Sequence, residues 1–191
     1  MPRWMNLALT LLLIPPTIII FLITAILLKA NSSSSVIHWS TRVGRDNKTF
    51  KMPKFRTMRL NTPDIATHLI ENADQFVTPI GRILRKTSLD ELPQLWSILK
   101  GDMAFVGPRP ALYNQDDLIV LRTQKGIHRL TPGVTGWAQI HGRDDLPIPE
   151  KVEMDLYYIR NRSTALDLNI IWRTFFAVFN CIWKAIKCLL I

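Results

Sequence analysis

TPIGRILRKTSLDELPQLWSILKGDMAFVGPRP, residues 78–110, sets two adjacent carboxylates among cations, four prolines and three glycines. Asp90 and Glu91 follow Arg82, Arg85 and Lys86 and precede Arg109. That charge arrangement is what phosphoryl chemistry on a carboxylate nucleophile requires. The same residues also fit a helix start. Ser88 with Glu91 three positions on spells a capping box, and acids are favoured in first turns whatever a protein does. Pro93 disfavours helix at Leu92, so a helix over 93–99 can instead begin there, with both acids in the turn ahead of it. On either reading Asp90 lies near free N–H groups and the positive end of a helix, which predicts an aspartate held ionised at low pH. Arg109, between Pro108 and Pro110, has a stiff backbone and a preorganised side chain.

Upstream lies KFRTM (54–58) and downstream PGVTGWAQIHGR (132–143). Together with the central block, these motifs closely resemble the bacterial sugar transferases, the monotopic phosphoglycosyl transferases, over roughly residues 15–167. The resemblance implies a definite reaction. Asp90 would attack the β-phosphate of a UDP-sugar, release UMP, and carry the sugar phosphate until a polyprenyl phosphate takes it. Glu91 would help bind Mg²⁺, a hard cation suited to carboxylate and phosphate oxygens. Arg85 and Arg109 would clamp phosphate oxygens, a task suited to the planar guanidinium fork. Lys54 and Arg56 become phosphate ligands, and Gln139, His141 and Arg143 become substrate contacts in a region that closes the nucleotide site. The chain resembles the minimal form of the family, without the long N-terminal extension of larger members. Such members act on N-acetylated amino sugars, so a UDP-HexNAc is expected, at a first membrane step of glycan assembly. The implied partners are a UDP-sugar, a polyprenyl phosphate and the phospholipid bilayer; a homodimer is compatible, and nucleic acid has no place. The implied location is the cytoplasmic face of a bacterial inner membrane.

The 191 residues suffice for one domain plus a membrane segment and are too few for two comfortable cores. A net charge of +9 with 48% apolar residues points to an anionic counterpart, whether phospholipid, nucleotide or nucleic acid. A membrane-anchored basic module for nucleic acid would explain that charge, but the chain shows no recognisable binding motif and such a module leaves Asp90 and Glu91 idle. Cys181 and Cys188 both sit in an apolar run, which indicates neither a disulfide scaffold nor a cysteine-based zinc site. None of the four histidines falls in a metal-type pair such as HExxH, so no transition metal is assigned.

Residues 7–28 carry no charge, and 22 residues at about 1.5 Å each cover roughly the 30 Å hydrocarbon core. A spanning helix is the default. Pro15 and Pro16 near the middle, and basic residues on both flanks, favour a helix that enters, bends and returns. The family resemblance implies such a re-entrant helix, broken at a Ser-Pro pair. Here the serine is missing, and with it a hydroxyl that would satisfy a freed carbonyl. A cleaved signal peptide fits less well, since the apolar run exceeds a usual h-region.

Beyond it, Gly44 to Lys48 reads as a hairpin turn between strands 36–43 and 49–55. Residues 64–76 read as a surface helix, 118–130 as a helix rich in surface charge, 137–140 as a short strand, and 150–162 as a helix that packs through Val152, Leu156 and Ile159. Trp137 is expected to play a structural part. From 167 on, Asn169, Arg173, Asn180, Lys184 and Lys187 form one narrow stripe among Ile, Trp, Phe and Leu. That is the pattern of an amphipathic helix lying on a bilayer, dispensable for chemistry. The expected fold is α/β, mainly helical with a small sheet, divided into a membrane helix (1–30), a catalytic domain (31–166) and the surface helix (167–191).

Overall fold

The computed structural model describes residues 1–31, 34–63, 72–142 and 146–189, apart from the side chains of 73, 182 and 184–189. The chain is mostly helical with a small sheet. Most of the expected helix over 64–76 lies outside the described residues, as do the side chains of Lys184, Lys187 and Cys188.

α1 (Arg3–Asn31) is one long apolar helix with Pro15 and Pro16 inside it, and it is long and apolar enough to cross a membrane. A proline removes one backbone donor and crowds the preceding turn. Just after the pair, the Thr17 hydroxyl donates to Leu13 O (2.7 Å) and Ile14 O (3.1 Å). Thr17 thus provides a hydroxyl just after the pair, whereas the family pattern places a serine ahead of the proline, and back-bonding of this kind often bends helices. Both ends of α1 pack on the same body. At the start, the Met1 amino group pairs with buried Asp167, Arg3 donates to the carbonyls of Ile98 and Leu99, and Asn6 Oδ1 accepts from Phe105 N at 2.9 Å. At the far end, Leu28 is buried against Phe55 and Leu84, and the Phe21 and Phe55 rings lie 4.8 Å apart. Between them Leu11, Leu12, Ile18, Ile19, Leu22 and Ile23 are exposed.

β1 (Ile37–Val43) and β2 (Thr49–Phe55) form the expected antiparallel hairpin, with Val43 opposite Thr49 and Ile37 opposite Phe55. Asp46 and Asn47 turn it at positive φ, a conformation these two residue types tolerate best after glycine. β2 leads through the KFRTM segment to α2 (Pro79–Thr87), whose cap Thr78 accepts from Gly81 N at 3.0 Å. Gly81 has to be glycine, because a Cβ would stand 2.1 Å from Thr57 O.

A 3₁₀ helix, Leu89–Gln94, then carries Asp90 and Glu91 before α3 (Leu95–Lys100). The expected capping box does not form. Ser88 sits in the left-handed region (φ 57°) as the C-cap of α2, and its side chain caps nothing. The Leu-Asp-Glu-Leu-Pro run winds as a 3₁₀ turn that includes Pro93, so regular helix starts two residues later than its proline suggests.

β3 (Ala104–Val106), β4 (Ala111–Leu112), α4 (Asp116–Gln124) and β5 (Gly133–Thr135) follow, with a 3₁₀ turn, Ile127–Arg129, ahead of β5. β4 adds antiparallel to β1, giving the order β2-β1-β4, while β3 and β5 pair in parallel. The strand thus lies at Gly133–Thr135, and WAQI is a single helical turn, α5 (Trp137–Ile140). A four-residue apolar run has no period that tells strand from helix. Gly133 explains the shift, since a Cβ there would meet Gly107 N at 2.1 Å, so only glycine lets the two strands approach this closely.

α6 (Ile148–Arg160) packs Val152 and Leu156 against Leu118 of α4 and Ile127, as its apolar spacing predicts. Trp137 stacks on Tyr157 at 4.8 Å, in keeping with a structural part. α7 (Thr164–Leu189) begins as a core helix: Ile170 is fully buried with Val106 and Tyr158, and Tyr158 donates to Asp167 at 2.6 Å. Its outward side shows Trp172, Phe175, Phe179 and Trp183, with Arg173 exposed beside them.

Candidate active site

Three segments meet at Glu91. Lys54 Nζ arrives from the end of β2 and Arg109 Nη2 from the loop between β3 and β4, each donating to Glu91 Oε1 at 3.0 Å. Both cations use one oxygen, which leaves Oε2 without a hydrogen bond from a described residue. Burial works against the charged form of Glu91, but Lys54 and Arg109 outweigh it and hold the carboxyl far below the ordinary carboxylate range. Burial lowers the Lys54 pKa, and Glu91 offsets that in part.

Asp90 behaves differently. It is 8% exposed, makes no hydrogen bond to a described residue, and its pKa is raised. The largest cause is burial; the attraction of Lys54 does not cancel it, and the Glu91 charge pushes the same way as burial. The expectation of an aspartate held low is therefore corrected. That expectation rested on a helix N-terminus, whereas Asp90 lies in a 3₁₀ turn where desolvation dominates. The neighbours are thus split into a firmly ionised Glu91 with two cations on it and a more basic, unencumbered Asp90.

Asp90 opens on two cavities. One, of about 240 Å³, is lined by Arg42, Arg56, Arg59, Arg122 and Lys151 among other groups. The other, of about 450 Å³, runs between α1 and α7, with walls that include Leu13, Phe105, Val134, Phe175 and Val178. Lys54, Arg85, Asp90 and Arg109 line both. Four cations or carboxylates thus stand at the junction of a cationic chamber and a mainly apolar one.

The structure brings Lys54, Arg85, Asp90, Glu91 and Arg109 together. Arg56 lines the cationic cavity, but its guanidinium donates to Ser35 O and Oγ at 2.9 and 2.8 Å, so it also ties the linker to β2. Gln139 is on the other side, in the apolar cavity, with both amide atoms buried and without a partner. Arg143 lies outside the described residues. His141 stands away from both cavities, its Nδ1 at 2.8 Å from Trp137 O.

Sequence reading missed Arg42, Arg122 and Lys151 as lining residues and Ser88 as the left-handed turn between α2 and the 3₁₀ helix. A non-glycine residue at positive φ is sparsely populated and collects at functional sites. No sequence signal marks it here, because Ser88 also fits a cap.

Among the described residues no group of three or more His, Cys, Asp or Glu side chains converges. A magnesium ion is commonly held by one or two carboxylates together with substrate phosphates and water, and an ionised Glu91 with Oε2 unengaged beside Asp90 fits that donor set.

Comparison with known proteins gives the same family over nearly the whole chain. Residues 1–181 match the sequence model described as Bacterial sugar transferase. The chain is similar to the UDP-N-acetylgalactosamine-undecaprenyl-phosphate N-acetylgalactosaminephosphotransferase of Aeromonas hydrophila, at 37% identity over 179 residues (90% of this chain, 42% of that protein). It is also similar to the UDP-glucose:undecaprenyl-phosphate glucose-1-phosphate transferase of Escherichia coli K12, at 41% identity over 177 residues (85% and 38%). A third relative, the uncharacterized sugar transferase EpsL of Bacillus subtilis, is 39% identical over 174 residues, covering 90% of this chain and 84% of EpsL. The chain spans less than half the length of the first and second of these relatives. The match runs through the hairpin that supplies Lys54, the Asp90–Glu91 turn and the loop that supplies Arg109, and the chain belongs to the bacterial sugar transferase family.

Proposed function

We propose that this chain transfers a sugar phosphate from a UDP-sugar to undecaprenyl phosphate, with Asp90 as a covalent carrier. The observation that carries this reading is the position of Asp90 where the two cavities meet. The donor diphosphate is anionic and water-soluble, and the cationic chamber suits it. The acceptor has a phosphate head and a long apolar tail, and the cavity between α1 and α7 offers apolar walls leading to the same cations.

In the first step an Asp90 carboxylate oxygen forms a bond to the β-phosphorus while the bond from that phosphorus to the bridging oxygen breaks. The electron pair leaves with UMP. In the second step a phosphate oxygen of the polyprenyl phosphate attacks the same phosphorus, and the Asp90 carboxylate departs. Lys54, Arg85 and Arg109 hold the charge that develops on the phosphoryl oxygens, which is the main task of a protein in such a transfer. The raised pKa of Asp90 strengthens it as a nucleophile relative to an ordinary aspartate, provided the solution is basic enough to ionise it. Glu91 would hold Mg²⁺ together with the donor phosphates; when bound, the ion neutralises diphosphate charge. Gln139, whose amide has no partner in the apolar cavity, would donate to the acceptor phosphate. By analogy with the Aeromonas relative the donor is an N-acetylated amino sugar, and the Escherichia relative makes UDP-glucose the natural competitor.

The packing of both ends of α1 on one body supports a re-entrant helix. A straight helix of 29 residues is about 43 Å long, and a simple span would carry one end across the bilayer and away from the domain. With α1 bent and the aromatic side of α7 turned outward, the chain would sit on the cytoplasmic face of the inner membrane. UMP release measured against a panel of UDP-sugars, with undecaprenyl phosphate and Mg²⁺ in liposomes, tests the reading. Release with at least one UDP-sugar is expected; silence across the panel with a folded, membrane-bound protein overturns it.

A further inference from the structure

We propose that Arg122 and Asp155 form a buried positioning pair for Arg109, a part that rests on the function proposed above only for its kinetic readout. Arg109 lies in Gly107-Pro108-Arg109-Pro110, where two of four residues have no N–H to offer. Gly107 N donates to Thr135 O at 2.9 Å, and the rest of the loop is held through its carbonyls. Pro108 O accepts from Gly133 N at 3.0 Å, Arg109 O from Arg122 Nη1 at 2.7 Å, and Pro110 O from Arg42 Nη1 at 3.2 Å.

The bond to Arg109 O is the shortest of the three, and its donor is itself fixed. Arg122, on α4, is 7% exposed; Asp155, on α6, is 1% exposed. Asp155 Oδ2 accepts from both Nε (3.0 Å) and Nη2 (2.6 Å) of Arg122, so Nη1 is the remaining arm and it reaches the loop. From that pinned carbonyl, the Arg109 side chain extends to Glu91. The line from Asp155 through Arg122 and the Arg109 backbone to Glu91 thus ties the guanidinium at the reacting centre to the packing of α4 on α6. A lysine at 122 has one ammonium and could not hold both Asp155 and Arg109 O with the geometry of a guanidinium fork. Neither residue touches the proposed reacting atoms, but Arg122 also lines the cationic cavity, so a loss in kcat/KM counts toward positioning only alongside a change at Arg109.

The test separates positioning from mere stability. Replacing a buried ion pair by apolar residues of similar volume is often neutral for folding. Arg122→Met with Asp155→Leu in the full-length protein in nanodiscs should therefore keep thermal stability near that of the wild type while removing the bond to Arg109 O. The Arg109 Nε–H resonance in ¹⁵N-arginine-labelled protein, assigned by its loss in Arg109→Lys, should broaden or move toward solvent-exchanging values. UMP release should lose roughly 10- to 100-fold in kcat/KM for the UDP-sugar, the scale expected when a clamping group is displaced by about an ångström. Should the double variant not fold, Arg122→Lys keeps a cation beside Asp155 and is expected to show the same Arg109 change. An unchanged Arg109 resonance in either folded variant, whatever happens to kcat/KM, overturns the proposal. If the wild type releases no UMP from any UDP-sugar, the functional reading fails, and the resonance alone still decides whether the pair places Arg109.

Discussion

Glu91→Gln keeps the shape of the side chain and removes its charge, so it isolates what the ion triad contributes. In the native protein one oxygen of Glu91 takes hydrogen bonds from Lys54 and Arg109 at 3.0 Å each, with side-chain exposures of 17%, 15% and 28%. A hydrogen bond to a charged group contributes roughly 1.5–3 kcal/mol and a neutral one about 0.5–1.5 kcal/mol. The glutamine carbonyl still accepts from both cations but no longer offsets their charge, so each bond is weakened rather than lost, at about 1–2 kcal/mol per bond or roughly 2–4 kcal/mol for both. Breaking a fully buried pair costs about 3–5 kcal/mol, and a site open to a cavity should fall toward the lower end. For a chain of this size about 2–4 °C accompanies each kcal/mol, so Tm should drop by roughly 4–16 °C. Thermal unfolding in nanodiscs measures it. On an Arg109→Gln background the same change should cost about half as much, since one of the two bonds is already gone. A Tm at or above that of the wild type, or equal losses on both backgrounds, would refute the triad as a stabilising unit. Because the Glu91 pKa is depressed in the fold, its contribution is present above the unfolded value of about 4.3 and fades only as pH falls toward the lower folded value. The loss should therefore be constant from pH 5 to 8.

The other predictions concern the neighbouring acid, the Ser88 turn and the membrane helix. Asp90→Asn should raise Tm while abolishing UMP release, because the folded pKa is raised and ionised Asp90 costs stability that is recovered as pH falls; a lower Tm would contradict the burial argument. Turnover against pH should show an acidic limb with an apparent pKa above the ordinary aspartate value of about 3.9, and that limb should be absent from single-turnover release by a pre-formed adduct. Ser88→Val should cost about 1–2 kcal/mol, since a β-branched residue resists the left-handed conformation, and unchanged unfolding would show that the turn relaxes freely. Cysteine labelling is expected to find Arg3 and Asn31 on the same side of the bilayer, and replacing Pro15 and Pro16 together by leucine should favour a true span; a periplasmic Arg3 in the native sequence would remove the re-entrant helix.

Much of this fold is visible in the sequence wherever a local rule is strong. Asp46-Asn47 between alternating strands dictates the hairpin, and the apolar spacing of α6 dictates which side packs. Asp90, Glu91, Arg85 and Arg109 stand out by their charge pattern and take their roles from the resemblance, Lys54 is named by the resemblance alone, and the five do converge. The failures share one cause, which is that tertiary context outweighed a local preference. Ser88 reads as an N-cap but is a left-handed turn residue, and WAQI reads as a strand but closes one helical turn beside the glycines that let β3 and β5 meet. Arg122 counts as surface charge until Asp155, 33 residues away, is seen to bury it. From sequence only backbone dipoles can be inferred, and they predict an acidic Asp90, while the desolvation that dominates it requires the packed site. The aromatic α7 looked like an anchor alone, yet Ile170 is core and Thr174, Phe175 and Val178 line the apolar cavity, so truncation after Asp167 should cost folding as well as membrane attachment.

The covalent role of Asp90 is tested most directly by mixing the protein with a UDP-sugar radiolabelled in the sugar and the β-phosphate, without acceptor, and quenching in denaturant. The proposed mechanism predicts label that stays on the wild-type chain, maps to the peptide containing Asp90, disappears when undecaprenyl phosphate is added before the quench, and is absent in Asp90→Asn while persisting at a reduced level in Glu91→Gln. Undiminished label in Asp90→Asn would move the nucleophile elsewhere. Turnover with no label in any variant would mean that the polyprenyl phosphate attacks the donor directly.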